Sequence, residues 1–155
     1  MSATSGSGRD TLAQTASRPL PAATELTKPF WDGCSSDQLL LQQCSRCGTY
    51  RHPPSPICAE CLSPEHQWVP ASGRGTVYTF SVVRHAFRRA WEPLVPYVVG
   101  VIELAEGPRV ITNIVEIPPE KVEIGMAVEV FFQPISDTVK LPLFRPLGLG
   151  PGVAR

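Results

Sequence analysis

Residues 44–61 read Cys44-Ser45-Arg46-Cys47-Gly48-Thr49-Tyr50-Arg51-His52-Pro53-Pro54-Ser55-Pro56-Ile57-Cys58-Ala59-Glu60-Cys61. Two Cys-x2-Cys pairs with ten residues between them can bring four thiolates to one point, the donor set and spacing that suit a tetrahedral zinc ion. Each pair forms a tight knuckle, and Gly48 supplies the backbone freedom that such a turn needs. Cys44, Cys47, Cys58 and Cys61 are therefore the expected ligands of one structural Zn2+. A pair of disulfides is the competing arrangement. The N-terminus shows neither the basic start nor the apolar run of an export signal, so a reducing cytoplasm is expected, and there metal binding is favoured over oxidation. His52 and His66 are alternatives for a mixed ligand set, but four cysteines at suitable spacing leave them without that task. With four thiolates the coordination shell is closed, so the ion would have no open position at which to activate water.

Working outward, Leu39-Leu40-Leu41-Gln42-Gln43 leads into the first knuckle and Thr49-Tyr50-Arg51-His52 leads out. Pro53-Pro54-Ser55-Pro56 turns the chain toward the second knuckle, and Gln67-Trp68-Val69 leaves it. This alternation of strand and knuckle predicts a rubredoxin-like zinc ribbon over residues 39–71. Before it, residues 21–38 carry Leu26, Phe30 and Trp31 at helical spacing and predict a short amphipathic helix limited by Pro29. Phe30 and Trp31 are adjacent and cannot both face one small core. One is a candidate docking residue, or a bent segment buries both.

After Ser72-Gly73-Arg74-Gly75 the chain turns to β-formers. Strands are predicted from Thr76 to Val83, Tyr97 to Leu104, Arg109 to Val115, Ala127 to Gln133 and Thr138 to Phe144. Five short strands without a long helical pattern predict a mainly β protein, with a five-stranded OB-fold barrel over residues 72–146. Residues 1–20 and 147–155 read as flexible tails.

The chain has 155 residues, with 14 Lys+Arg balancing 14 Asp+Glu. A formal charge of zero argues against a dedicated nucleic-acid binder, whose affinity comes largely from neutralising phosphates. The longest aliphatic run, Tyr97 to Ile102, is far too short to cross a bilayer, so no membrane partner is expected. The fifth cysteine, Cys34, has no neighbour at ligand spacing and reads as a semi-buried thiol. No catalytic constellation is visible, because the other cysteines are committed to metal and Cys34 lacks a base.

The Phe30-Trp31 segment, the two knuckles and Gly73-Arg74-Gly75-Thr76-Val77-Tyr78-Thr79-Phe80 together resemble a known family. So do Pro96-Tyr97-Val98-Val99, Glu106-Gly107-Pro108-Arg109, Asn113-Ile114-Val115 and Leu141-Pro142-Leu143-Phe144-Arg145-Pro146. This run, from about residue 26 to 146, resembles the acyl-CoA-associated family of zinc-ribbon and OB-fold proteins, long filed as a domain of unknown function. The resemblance implies a non-catalytic accessory subunit of a thiolase-like enzyme or lipid-transfer-type aldolase, or less often of a hot-dog-fold hydratase. It also implies a CoA thioester as a shared ligand, with the ribbon and the Phe30–Trp31 segment docking on the partner. One departure is Ser55, where the family commonly has an arginine after the paired prolines; Arg51 stands just upstream.

The dense basic and aromatic run Arg84-His85-Ala86-Phe87-Arg88-Arg89-Ala90-Trp91 falls between the first two barrel strands. Arg84, His85, Arg88, Arg89 and Trp91 are the candidate CoA or partner contacts, since arginines suit phosphates and an indole suits adenine. Two other readings stay open for them: a solvated loop with hydrophobic anchors, and a surface for single-stranded nucleic acid.

Overall fold

The computed structural model describes residues 19–148. The first tail lies almost wholly outside these residues, and all but Leu147 and Gly148 of the second does as well.

Helix α1 spans Lys28–Ser35. Pro29 opens this helix, because the first turn has no use for the N–H that proline lacks. The buried side of α1 is Phe30, Gly33 and Cys34. A Cβ on Gly33 would lie 2.7 Å from Leu40 Cγ and 2.9 Å from the Gln38 carbonyl, so only glycine lets the helix come this close to the following strand. Burial pushes the Cys34 thiol up to about 12, which makes it a packing residue and a poor nucleophile.

Strands β1 (Leu40–Cys44), β2 (Tyr50–Arg51) and β3 (His66–Pro70) form an antiparallel sheet in the order β2-β1-β3. Cys44 ends the central strand, and the knuckles hang from the end of this sheet. Strands β4 (Arg74–Val83), β5 (Tyr97–Leu104), β6 (Arg109–Ile114), β7 (Ala127–Pro134) and β8 (Lys140–Pro146) close into a barrel in the order β4-β5-β6-β8-β7. The predicted strands are all present. The last begins two residues later than expected, because Ile135 and Ser136 form a turn. There the Ile135 N–H donates to the Val139 carbonyl (2.9 Å), and the Val139 N–H donates to Ser136 Oγ (3.1 Å). The linker between β4 and β5 contains a 3-10 helix at Arg89–Leu94 where the sequence reading expects only loop.

Strand β5 shows how the barrel core is built. Val98, Gly100, Ile102 and Leu104 point inward and alternate with half-buried residues, the period of two that a closed sheet requires. A Cβ on Gly100 would meet Ile114 Cδ1 at 2.7 Å, so the missing side chain leaves room for the isoleucine of the neighbouring strand β6. Strand β4 slips register between Val77 and Thr79, a bulge that lets one strand pair with β5 along its length and with β7 at its start. The bulge turns Tyr78 out to the surface, where the Arg109 guanidinium lies 3.4 Å from the ring centroid. Closure is completed by a parallel contact between β6 and β8, with Ile114 opposite Phe144.

Helix α1 packs against β1 of the ribbon and against β7 and β8 of the barrel. One buried cluster accordingly runs from Phe30, Leu39 and Leu41 through Val77, Ile102 and Val128 to Phe144. Ser35 Oγ donates to the Thr138 carbonyl (2.9 Å), and Lys140 pairs with Asp37 (2.7 Å), so the helix end is tied to β8 and the turn before it. Among the described residues no helix is long and apolar enough to cross a membrane.

Gly75 lies in the part of β4 that pairs with both β5 and β7, and a Cβ there would collide with the Glu103 carbonyl oxygen. That obstacle is backbone and cannot rotate away. Gly75→Ala is expected to destabilise the protein by about 1–3 kcal/mol, read as a lowered midpoint in urea unfolding with an unchanged slope.

Candidate functional site

The two knuckles are built alike. In the first, the Cys44 N–H donates to the Thr49 carbonyl and the Gly48 N–H to the Cys44 carbonyl, both at 2.9 Å. In the second, the Cys58 N–H donates to the Ser63 carbonyl (2.9 Å) and the Leu62 N–H to the Cys58 carbonyl (3.0 Å). Both turns need a left-handed residue after the second cysteine. Gly48 fills it with φ 77°, whereas Leu62 fills it with φ 60° and is 72% exposed. A leucine there costs about 1–2 kcal/mol of backbone strain.

The knuckles bring Cys44, Cys47, Cys58 and Cys61 together with all four Sγ atoms within 4.8 Å of one another. Cys44 and Cys61 are 3.6 Å apart, as are Cys47 and Cys58. A tetrahedron of sulfurs about 2.3 Å from a central ion has edges of about 3.8 Å, whereas a disulfide needs about 2.05 Å. The spacing therefore fits a metal ion held by four thiolates.

The electrostatics point the same way. The Thr49 hydroxyl and N–H bring Cys47 down to about 6, and the Cys47 N–H lowers Cys44. Cys61 receives the Ser63 N–H, yet desolvation and the surrounding sulfurs hold it at about 12. Four thiolates cannot all ionise at this distance without a cation among them, so metal binding here must release protons.

Neither histidine joins the cluster. The His66 Nδ1–H donates to the Pro64 carbonyl (3.0 Å), which leaves Nε2 to accept from Gln42 Nε2 (3.1 Å). Gln42 is fully buried, and its Oε1 accepts the Ser55 N–H (2.8 Å). Arg51 Nη1 donates to the Ser55 carbonyl (3.2 Å). Ser55 of the proline-rich connection is thus held through both its N–H and its carbonyl, by side chains of β1 and β2. Sequence reasoning missed Gln42, which looks like any polar residue ahead of a knuckle; its one visible signal is a place beside two buried leucines.

The barrel carries an apolar cleft of about 520 Å³ between the 3-10 helix and strands β5, β6 and β8. Trp91, Leu94, Tyr97, Ile117, Leu141 and Leu143 line it, and Asn113 supplies a polar point in its wall. The Asn113 amide donates to the Val98 carbonyl (3.0 Å), which satisfies this strand-borne polar group. Of the candidate contacts in the β4–β5 linker, only Trp91 reaches this cleft. Arg84, His85, Arg88 and Arg89 stay exposed, and none has an ion-pair partner among the described residues. His85 instead packs edge-on to Phe87, with centroids 5.5 Å apart.

A second apolar cleft, about 350 Å³, lies between α1 and the outer face of β6 and β8. Here the candidate docking pair divides. Phe30 is 5% exposed and faces the core, with Trp31 edge-on at 5.1 Å and the His52 ring at 5.2 Å. Trp31 is half-buried and faces the cleft beside Ile111, which is 76% exposed.

Burial lowers His52 to about 4 from its usual 6.5. The unfolded chain would bind a proton at the ordinary value while the folded chain does not. Stability is therefore full above pH ~6.5 and falls by up to about 3 kcal/mol as pH drops toward ~4. Urea unfolding at pH 7 and pH 5 should show this loss, and His52→Gln should remove its share while leaving any acid effect of the thiols.

Comparison with known proteins places these features in a family. The profile of the ChsH2 rubredoxin-like zinc ribbon domain matches residues 31–67, and that of the ChsH2 C-terminal OB-fold domain matches residues 68–133. A probable enoyl-CoA hydratase alpha subunit of Thermomonospora curvata is 40% identical over 83% of this chain, which spans only 40% of that protein. A 3-oxo-4,17-pregnadiene-20-carboxyl-CoA hydratase alpha subunit of Mycobacterium tuberculosis is 38% identical over 70% of the chain, which spans 34% of its length. A DUF35 domain-containing scaffold protein of Methanocaldococcus jannaschii is 43% identical over 64% of this chain and 70% of its own. Among solved structures, the Ltp2-ChsH2(DUF35) aldolase matches with a TM-score of 0.75 and 39% identity, over 82% of this chain and 98% of that one. The chain belongs to the DUF35 family of zinc-ribbon and OB-fold proteins.

Proposed function

We propose that this chain is a non-catalytic accessory subunit that docks on a thiolase-like acyl-CoA enzyme, a thiolase or a lipid-transfer-type aldolase, and helps form its acyl-CoA site. The observation that carries the reading is the likeness to the Ltp2-ChsH2(DUF35) aldolase over nearly the whole of the matched chain. In this reading residues 39–71 form a ribbon that fixes the docking end together with residues 21–38, and the barrel of residues 72–146 supplies one wall of the thioester site. Cys44, Cys47, Cys58 and Cys61 hold one zinc ion, which when bound supplies cross-linking of the two knuckles and no reactive position.

The division of the surface supports these roles. Trp31 and Ile111 offer a partner apolar area beside α1. The Trp91 cleft suits an acyl chain, and the unpaired Arg84, Arg88 and Arg89 nearby in sequence suit the phosphates of CoA. The two hydratase alpha subunits among the relatives favour a second partner, a hydratase, for the same face.

Co-expression with a thiolase-like enzyme and with a hydratase, followed by co-purification and turnover with and without this chain, tests the reading and separates the partners. A stable complex with enhanced turnover is expected, and an enzyme equally stable and active alone would remove the accessory role. Trp31→Ala combined with Ile111→Glu should weaken the complex by about tenfold or more, near the core of an interface of this kind. Metal analysis should give about one zinc per chain, lost in Cys58→Ser together with the folded ribbon.

A further inference from the structure

Arg51 is the one charged residue that is buried among those described, and its surroundings leave it half satisfied. It ends β2 and is 7% exposed. Nη1 is used by the Ser55 carbonyl, while Nε and Nη2 are both buried and have no hydrogen-bond partner. These two nitrogens form one edge of the planar guanidinium. Their parallel N–H groups are spaced to meet two oxygens of a single carboxylate or phosphate. No carboxylate of the described residues pairs with this edge, since the ion pairs use Lys28, Arg109, Lys140 and Arg145. A guanidinium cannot shed its proton to escape burial, and a buried charge without a counter-ion is among the costliest arrangements in a fold.

Arg51 lines a groove of about 270 Å³ that runs past Tyr50, His52, Ser55 and Glu60 to Pro108 in the turn between β5 and β6. Burial keeps His52 neutral, so Arg51 is the fixed positive charge of the groove. Glu60 on the wall is exposed and solvated, so its repulsion of an incoming anion is screened. The geometry points to an oxyanion site in the ribbon: the Nε–Nη2 edge of Arg51 is closed to solvent in the free chain, and one carboxylate or phosphate group from outside the chain seats in the adjoining groove by drawing the guanidinium out so that this edge meets two of its oxygens. The site is separate from the four cysteines and from the barrel cleft. It rests on this chain alone and not on the identity of the partner.

The test uses the full-length, metal-loaded, 15N-labelled protein. It is titrated with sodium acetate in one arm and inorganic phosphate in the other, against sodium chloride at matched ionic strength. A saturable shift of the Arg51 Nε–H resonance is expected, with shifts at the amides of Tyr50, Ser55 and Glu60 that chloride does not produce. A tighter response to acetate assigns the site to a carboxylate, and a tighter response to phosphate to a phosphorylated ligand. Arg51→Lys keeps the charge and removes the fork, and should weaken the better anion by about tenfold or more. If that variant does not fold, the wild-type resonance decides alone. The site is refuted if neither anion gives a saturable shift. It is equally refuted if Glu60→Gln moves the Nε–H resonance in the anion-free protein, because Glu60 would then be closing on the fork from within.

Discussion

Everything in the N-terminal half depends on the mutual repulsion of four sulfurs held within 4.8 Å. The ribbon has a three-stranded sheet and few buried apolar side chains of its own, chiefly Leu39 and Leu41. A unit of that size cannot fold on apolar burial alone. A cation reverses the sign of the sulfur–sulfur interaction and converts two flexible turns into one cross-link. The proline-rich connection between the knuckles is then held at both ends by metal and in the middle by Gln42 and Arg51, through the N–H and the carbonyl of Ser55.

The barrel obeys a different constraint, the space available at its closest approaches. Gly75 and Gly100 are placed where a carbonyl oxygen and an isoleucine side chain leave no room for a Cβ. The bulge in β4 then gives the curvature that allows five strands to meet. Two apolar surface features lie outside this packing. The β4–β5 linker supplies Trp91 to an apolar cleft, and the face beside α1 carries half-buried Trp31 and exposed Ile111.

Local signals in the sequence were strong where the chemistry is local. The paired cysteines, the glycine after the first pair and the alternation from Tyr97 to Leu104 each announce their structure within a few residues. The points that the sequence leaves open have a common cause in long-range packing. Phe30 and Trp31 look alike in sequence, and only the approach of α1 to the ribbon and barrel decides that Phe30 goes inside. Arg84 to Trp91 reads as one cluster, but a 3-10 helix turns the indole inward and leaves the basic groups in solvent. Gln42 was invisible because its partners, Ser55 and His66, lie on the far side of each knuckle.

Helix α1 touches β1 on one side and β7 and β8 on the other, and its end is tied by Ser35 and Lys140 to β8 and the turn before it. The chain therefore has no slack joint between its two β units, and eight helical residues act as a keystone rather than a tether. A displacement of the ribbon bears through α1 directly on β7 and β8. Leverage, and not only adhesion, is available to whatever grips the metal-bearing end.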